Sequence, residues 1–151
     1  LKALGKKSEL LSKRLFIDPA SISSGWALFE GPKLITAGAI VVDKKLPAFA
    51  RLYQVYKRYQ EVSKRLLVDE VHIEQLVRNT HIYTHFSVAA AGIAFIPSGA
   101  RVDADIPIQS WQKHCDWKGE RAPLKAYQEI AETEDVLAAI GMGLFYLARR
   151  A

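Results

Sequence analysis

The 151-residue sequence predicts an α/β domain: a five-stranded mixed sheet, its first three strands antiparallel, flanked by helices. Three observations carry that expectation. Three short strand-like runs come first, joined by links that only antiparallel neighbours can use. Helical and strand-like runs then alternate along the rest of the chain. The length suits one hydrophobic core, so the expected division is a basic segment over 1–14 followed by a single domain over 15–151.

Each element follows from local pattern. Leu15-Phe16-Ile17 is short, continuous and apolar, as a buried central strand should be. Ser21 to Gly25 reads as a polar turn, and Gly25-Trp26-Ala27-Leu28-Phe29 returns as the second strand. Gly31-Pro32 breaks the chain before a third strand over Leu34 to Val42. Pro47 opens a helix in which Phe49, Leu52, Val55, Tyr56, Tyr59, Val62 and Leu66 recur at steps of three and four. Val71 to Leu76 is a fourth strand, reached through that helix and therefore expected parallel to the first. Ile82 to Ile96, rich in Ala and apolar residues, predicts a buried helix ended by Pro97-Ser98-Gly99. Ala104 to Ile108 is the fifth strand, Trp111 to Cys115 a helical turn, and Asp116 to Ala122 a polar, basic loop. Pro123 starts a last helical region that runs to Arg149, with a break near Ala131.

Composition narrows the function classes. Half the residues are apolar and a quarter charged, which excludes disordered and fibrous chains. Lys and Arg number 21 against 16 Asp and Glu, a net charge of +5 that favours a polyanionic partner. The single cysteine, Cys115, excludes an internal disulfide and a Cys-based zinc site, and suits a reducing compartment. His72, His81, His85 and His114 complete no metal-binding spacing either. No apolar run reaches the roughly 18 residues of a membrane span, and the basic stretch 1–14 lacks a signal peptide's apolar region. A cytoplasmic location without a membrane partner is the expectation. The basic stretch itself reads either as a solvated segment or as an arm along a phosphate backbone.

Several acids stand where acids are costly. Asp18 ends the first strand, and Glu74 interrupts the fourth, where period two groups it with His72 and Leu76. Glu132 and Asp135 precede the apolar run from Val136, three residues apart. At ~100° per residue both flank the core-facing arc, while Glu134 points to solvent. Singly, each has an ordinary explanation: a turn before Pro19, a half-exposed strand, charges favoured at a helix start. Together they form a single-sign cluster that needs cations, and hard oxygen donors suit magnesium or manganese. Two such ions can activate water and stabilise the leaving oxygen in phosphodiester cleavage, which fits a basic protein acting on nucleic acid.

The ordered set Ile17-Asp18-Pro19-Ala20, Ser24-Gly25-Trp26-Ala27-Leu28, His72-Ile73-Glu74-Gln75, Pro107-Ile108-Gln109-Ser110-Trp111 and Glu132-x-x-Asp135-Val136-Leu137-Ala138 resembles the RuvC-type Holliday junction resolvases of the ribonuclease H-like superfamily. It covers about 15–147, and the compact size and Pro-x-x-x-Trp feature look more like phage-type relatives. The resemblance implies a ribonuclease H-like fold and a symmetric homodimer that resolves four-way DNA junctions, and other branched DNA, by paired nicks. It implies a bacterial or phage-infected cell. It makes Asp18, Glu74, Glu132 and Asp135 catalytic metal ligands for two Mg2+ ions, with Mn2+ able to substitute. Gln75 and the 77–84 segment would lie beside the junction, which offers Arg78, Asn79 and Tyr83 as DNA contacts. Lys113, Lys118, Arg121 and Lys125 are the candidate basic residues. Three features depart from the family: Ala20 replaces the usual Gly, Glu132 stands where Asp or His is commoner, and 116–131 is short. Trp26 and Trp111 read as core or interface residues, and Tyr83 and Phe86 as contacts for unstacked bases. The same acids would serve a ribonuclease H acting on RNA–DNA hybrids, and a basic surface alone would serve a non-catalytic branched-DNA binding protein.

Overall fold

A computed structural model describes residues 12–20 and 22–150. The central strand is β1 (Lys13–Asp18), whose residues Leu15, Phe16 and Ile17 are fully buried. β2 (Ser23–Glu30) pairs with it antiparallel and β3 (Lys33–Val41) pairs antiparallel with β2. Helix α1 (Ala48–Leu66) then crosses over, so that β4 (Glu70–Gln75) lies parallel to β1 on its other side. After α2 (Ile82–Phe95) and a 3-10 turn at Ile96–Ser98, β5 (Arg101–Pro107) adds parallel to β4. The sheet order is β3-β2-β1-β4-β5. α3 (Ile108–His114), a 3-10 segment at Ala122–Tyr127 and α4 (Glu134–Arg150) complete the described chain.

The pleat of β1 divides the core in two. Leu15 and Ile17 face α1 and α2, packing with Trp26, Leu28, Val55, Tyr59, Val71, Ile73 and Phe95. Phe16 faces α3 and α4, packing with Phe29, Ile106, Trp111, Ile140, Met142 and Tyr146. Helices therefore cover both faces, as the alternation of elements required. No helix among the described residues is long and apolar enough to cross a membrane.

Several boundaries differ from the sequence expectation, each for a physical reason. Of the basic segment over 1–14, residues 1–11 lie outside the described residues. Lys13 and Arg14 belong to β1, and the buried Arg14 guanidinium is paired with Glu70. β2 starts at Ser23, so the turn is shorter than Ser21 to Gly25; the serines fit the strand because their hydroxyls find partners, Ser24 the Ala20 carbonyl at 3.0 Å and Ser23 the Asp135 carboxylate at 2.7 Å. β4 is buried on both faces rather than half exposed: His72 is stacked on Phe16 and covered by Tyr146, and its Nδ1 meets Asp105 at 2.9 Å. β5 begins three residues early because Arg101 and Asp103 pair with each other, and Arg101 also with Glu70, along the sheet edge. α2 is not a buried helix. Only Ser87, Ala91, Ala94 and Phe95 are buried, while Ile82, Phe86 and Ile93 face outward.

Candidate active site

Three acids meet at one end of the sheet, each delivered by a different element. Asp18 is the last residue of β1 and stands opposite Gly25 of β2. Ile17 pairs with Ile73 of the parallel β4, so the next residue along, Glu74, lies beside Asp18. Asp135 comes from the first turn of α4, whose backbone rests directly on β2. Gly25 makes that contact possible. A Cβ there would stand 2.1 Å from the Asp135 carbonyl carbon and oxygen and 2.4 Å from the Val136 nitrogen, so only glycine admits the helix start.

The electrostatics follow from the crowding. Burial raises the Asp18 carboxyl to about 9, and the negative charges of Glu74 and Asp135 and a hydrogen bond to Asp135 push the same way. Burial also raises Glu74, against the pull of the Trp111 indole N–H, which donates to its Oε2 at 2.7 Å. Asp135 accepts from Ser23. Beneath them the phenol of Tyr59, on α1, is buried, and burial together with the charges of Asp18 and Asp135 holds it protonated.

Glu132 does not join this group. It is exposed and precedes α4, so the helical phase counted back from Asp135 does not extend to it. It lines a groove of about 430 Å³ along β3 and α1 together with Arg58, Glu61 and Arg65. Glu134 points away as its phase required, and its carboxylate is bidentate to Arg121 at 2.8 and 3.0 Å. That engagement changes the reading of Arg121. Its guanidinium lies 3.7 Å over the Trp117 ring and also donates to the Trp117 carbonyl, so it is tied into the fold rather than presented as a free cation. Gln75, Arg78 and Asn79 are exposed at the end of β4 and in the loop beyond it. Tyr83 is half-buried in the first turn of α2, beside His81, Phe86 and Arg51. Lys113 and Lys118 border a cleft at α3 with Gln109, Gln112 and Trp117, and Lys125 is exposed on the 3-10 segment.

The donors are all oxygen, and a divalent cation would relieve both their mutual repulsion and the burial of charge, so the set fits Mg2+ or Mn2+. As the side chains stand, no three Asp, Glu, His or Cys among the described residues are spaced to hold an ion. Sequence reasoning does not single out Ser23, Gly25, Tyr59 and Trp111 as parts of this site. An isolated glycine in a strand pattern is the available signal for Gly25, and Trp111 lies within the Pro-x-x-x-Trp feature.

The sheet order, with three antiparallel strands followed by two parallel ones and acids at the ends of β1 and β4, is that of a ribonuclease H-like domain. Within that class the chain is similar, in sequence and in fold, to the RuvC-type resolvases. The structure of Thermus thermophilus RuvC in complex with a Holliday junction substrate superposes with a TM-score of 0.75, covering 92% of this chain and 95% of that one at 19% identity. A second Thermus thermophilus RuvC structure gives 0.69 at 16% identity, over 91% and 95% of the two chains. The crossover junction endodeoxyribonuclease RuvC of Syntrophomonas wolfei is 31% identical over 104 residues, 66% of this chain and 59% of that protein. That of Chloroflexus aurantiacus is 29% identical over 105 residues, 66% of this chain. The chain spans 62% of the length of the latter relative. No family model matches the chain.

Proposed function

We propose that the protein is a metal-dependent, structure-selective DNA endonuclease that resolves four-way junctions by paired nicks. The observation that carries this is the convergence of Asp18, Glu74 and Asp135 from β1, β4 and α4 at one end of the sheet, in a chain of net charge +5. Asp18, Glu74 and Asp135 would hold Mg2+, two ions per site, with Mn2+ substituting. When bound, the metal supplies an activated water and charge stabilisation at the scissile phosphodiester. The chain's own residues prepare the place for it. Asp18, buried beside the other two carboxylates, must give up its proton before it can act as a ligand. Ser23 orients Asp135, and the surrounding Lys and Arg side chains draw the DNA backbone toward the cluster.

Labelled four-way junction, linear duplex and RNA–DNA hybrid, each offered with magnesium, test the reading. Junction cleavage is expected, absent in excess chelator, with junction binding retained there and weakened steeply by salt. Undiminished cutting in chelator, or cutting of the hybrid alone, would overturn it. The reading places the enzyme in the bacterial cytoplasm, where branched DNA arises.

Two opposed nicks require two related sites, and so a two-fold homodimer. Phe49 and Tyr53 on α1 and Ile82, Phe86 and Ile93 on α2 are exposed apolar side chains on the two helices that pack together on one sheet face, and they support a second copy covering that face. Light scattering is expected to give twice the chain mass, and substitution of Phe49 and Ile93 by Asp is expected to give monomers. A monomer at micromolar concentration, with and without junction DNA, would count against it.

A further inference from the structure

Trp111 is 2% exposed, yet it does more than fill the core. Its six-membered ring lies where a Cβ on Gly141 of α4 would be 3.2–3.3 Å away, so it is pressed close to that helix. Its ring meets Trp117 edge-on, with centroids 5.0 Å apart. Trp117 carries the Arg121 guanidinium over its own ring, and Arg121 bonds Glu134, next to Asp135. Held on these sides, the indole has a fixed direction for its single N–H, and that direction ends on Glu74 Oε2. The bond takes up one carboxylate oxygen, Oε2, and not Oε1.

We propose that Trp111 is a positioning residue of the nuclease site, its indole N–H fixing the Glu74 carboxylate in the orientation in which the second oxygen can take a divalent cation beside Asp18. The inference rests on the nuclease reading above and deepens it. An indole suits the task because it is neutral: a Lys or Arg in its place would compete with the cation for the same charge, whereas an N–H dipole orients the carboxylate and leaves its charge in place. A tryptophan serving only as core volume needs its ring and not its nitrogen, and that difference separates the two roles.

The test replaces Trp111 with β-(3-benzothienyl)alanine, which keeps the bicyclic shape and puts sulfur in place of N–H, beside Trp111→Phe. Mn2+ affinity of the DNA-free protein is read from the electron paramagnetic resonance signal of free Mn2+, and kcat and KM are measured on the junction. Loss of the N–H is expected to weaken Mn2+ binding about 10-fold or more, the scale of outer partners of metal ligands. kcat should fall at limiting metal and recover largely at high metal, with KM for the junction unchanged. In the wild-type protein without metal, Glu74→Ala is expected to move one of the three indole N–H resonances upfield. An isostere that binds Mn2+ as tightly as wild type, or an indole spectrum indifferent to Glu74→Ala, overturns the proposal while leaving the nuclease reading intact. A wild-type protein that binds no Mn2+ overturns both.

Discussion

Asp18→Asn is expected to abolish junction cleavage, by more than about 100-fold, and at the same time to raise the melting temperature of the metal-free protein at pH 8. The two effects have one cause. In the fold the Asp18 carboxyl keeps its proton up to about 9, because it is buried beside Glu74 and Asp135. In the unfolded chain it loses the proton near pH 4. Between those values the unfolded state has released a proton that the folded state still holds, so rising pH favours unfolding, by up to about 1.4 kcal/mol per unit. The amide cannot ionise, and its variant escapes that slope. Thermal melts of both proteins in chelator from pH 5 to 9 check this: the wild type should fall relative to the variant as pH rises, and added Mg2+ should stabilise only the wild type. Glu74→Gln and Asp135→Asn should share the loss of cleavage with folding and junction binding intact. A wild-type melting temperature that tracks the variant's at every pH would show that Asp18 ionises as freely as an exposed aspartate.

Gly25→Ala should be comparably damaging by a different route. The added methyl meets backbone, the Asp135 carbonyl and the Val136 nitrogen, and backbone cannot turn aside as a side chain can. The first turn of α4 must lift from β2, which moves Asp135 away from Asp18 and opens the packing behind it. The cost should be about 3 kcal/mol, with a fall in Tm of roughly 5–10 °C and near-complete loss of cleavage. Gly99 supplies the comparison, since it has a positive φ of 83° but open space within 4 Å of the place a Cβ would take. Gly99→Asn is expected to stay active. A Gly25→Ala protein of normal stability and activity would mean that α4 does not dock on β2 as closely as described.

The division between what sequence could and could not convey follows from the range of the interactions involved. Leu15-Phe16-Ile17, the tight link at Gly31-Pro32 and the periodicity from Phe49 to Leu66 are local signals, and strand count, strand order and helix placement follow from them. Asp18 and Glu74 stand out because an acid beside a buried strand violates a local rule. Asp135 is legible for the same reason, lying against a long apolar run. Glu132 is misplaced by sequence because its position depends on where α4 begins, and the bend through Glu132 and Thr133 breaks the phase that a sequence count assumes. Arg121 carries no mark of its engagement, since stacking on Trp117 and pairing with Glu134 arise only when a positive-φ turn folds the loop back. The exposure of α2 is concealed for another reason: its sequence is apolar nearly all round, a composition that sequence alone reads as burial within one chain.

The direct seating of α4 on Gly25 also sets an order in time. Asp18 and Glu74 emerge from the ribosome early and Asp135 late, and no earlier acid among the described residues stands in for the third carboxylate. A nascent chain ending before residue 134 carries two of the three acids, with the Phe16 face of the sheet lacking the cover of α4. On the proposed nuclease reading, such a chain is expected not to cut DNA. One docking event, the seating of α4 on the sheet, both buries much of the second half of the core and brings Asp135 beside Asp18.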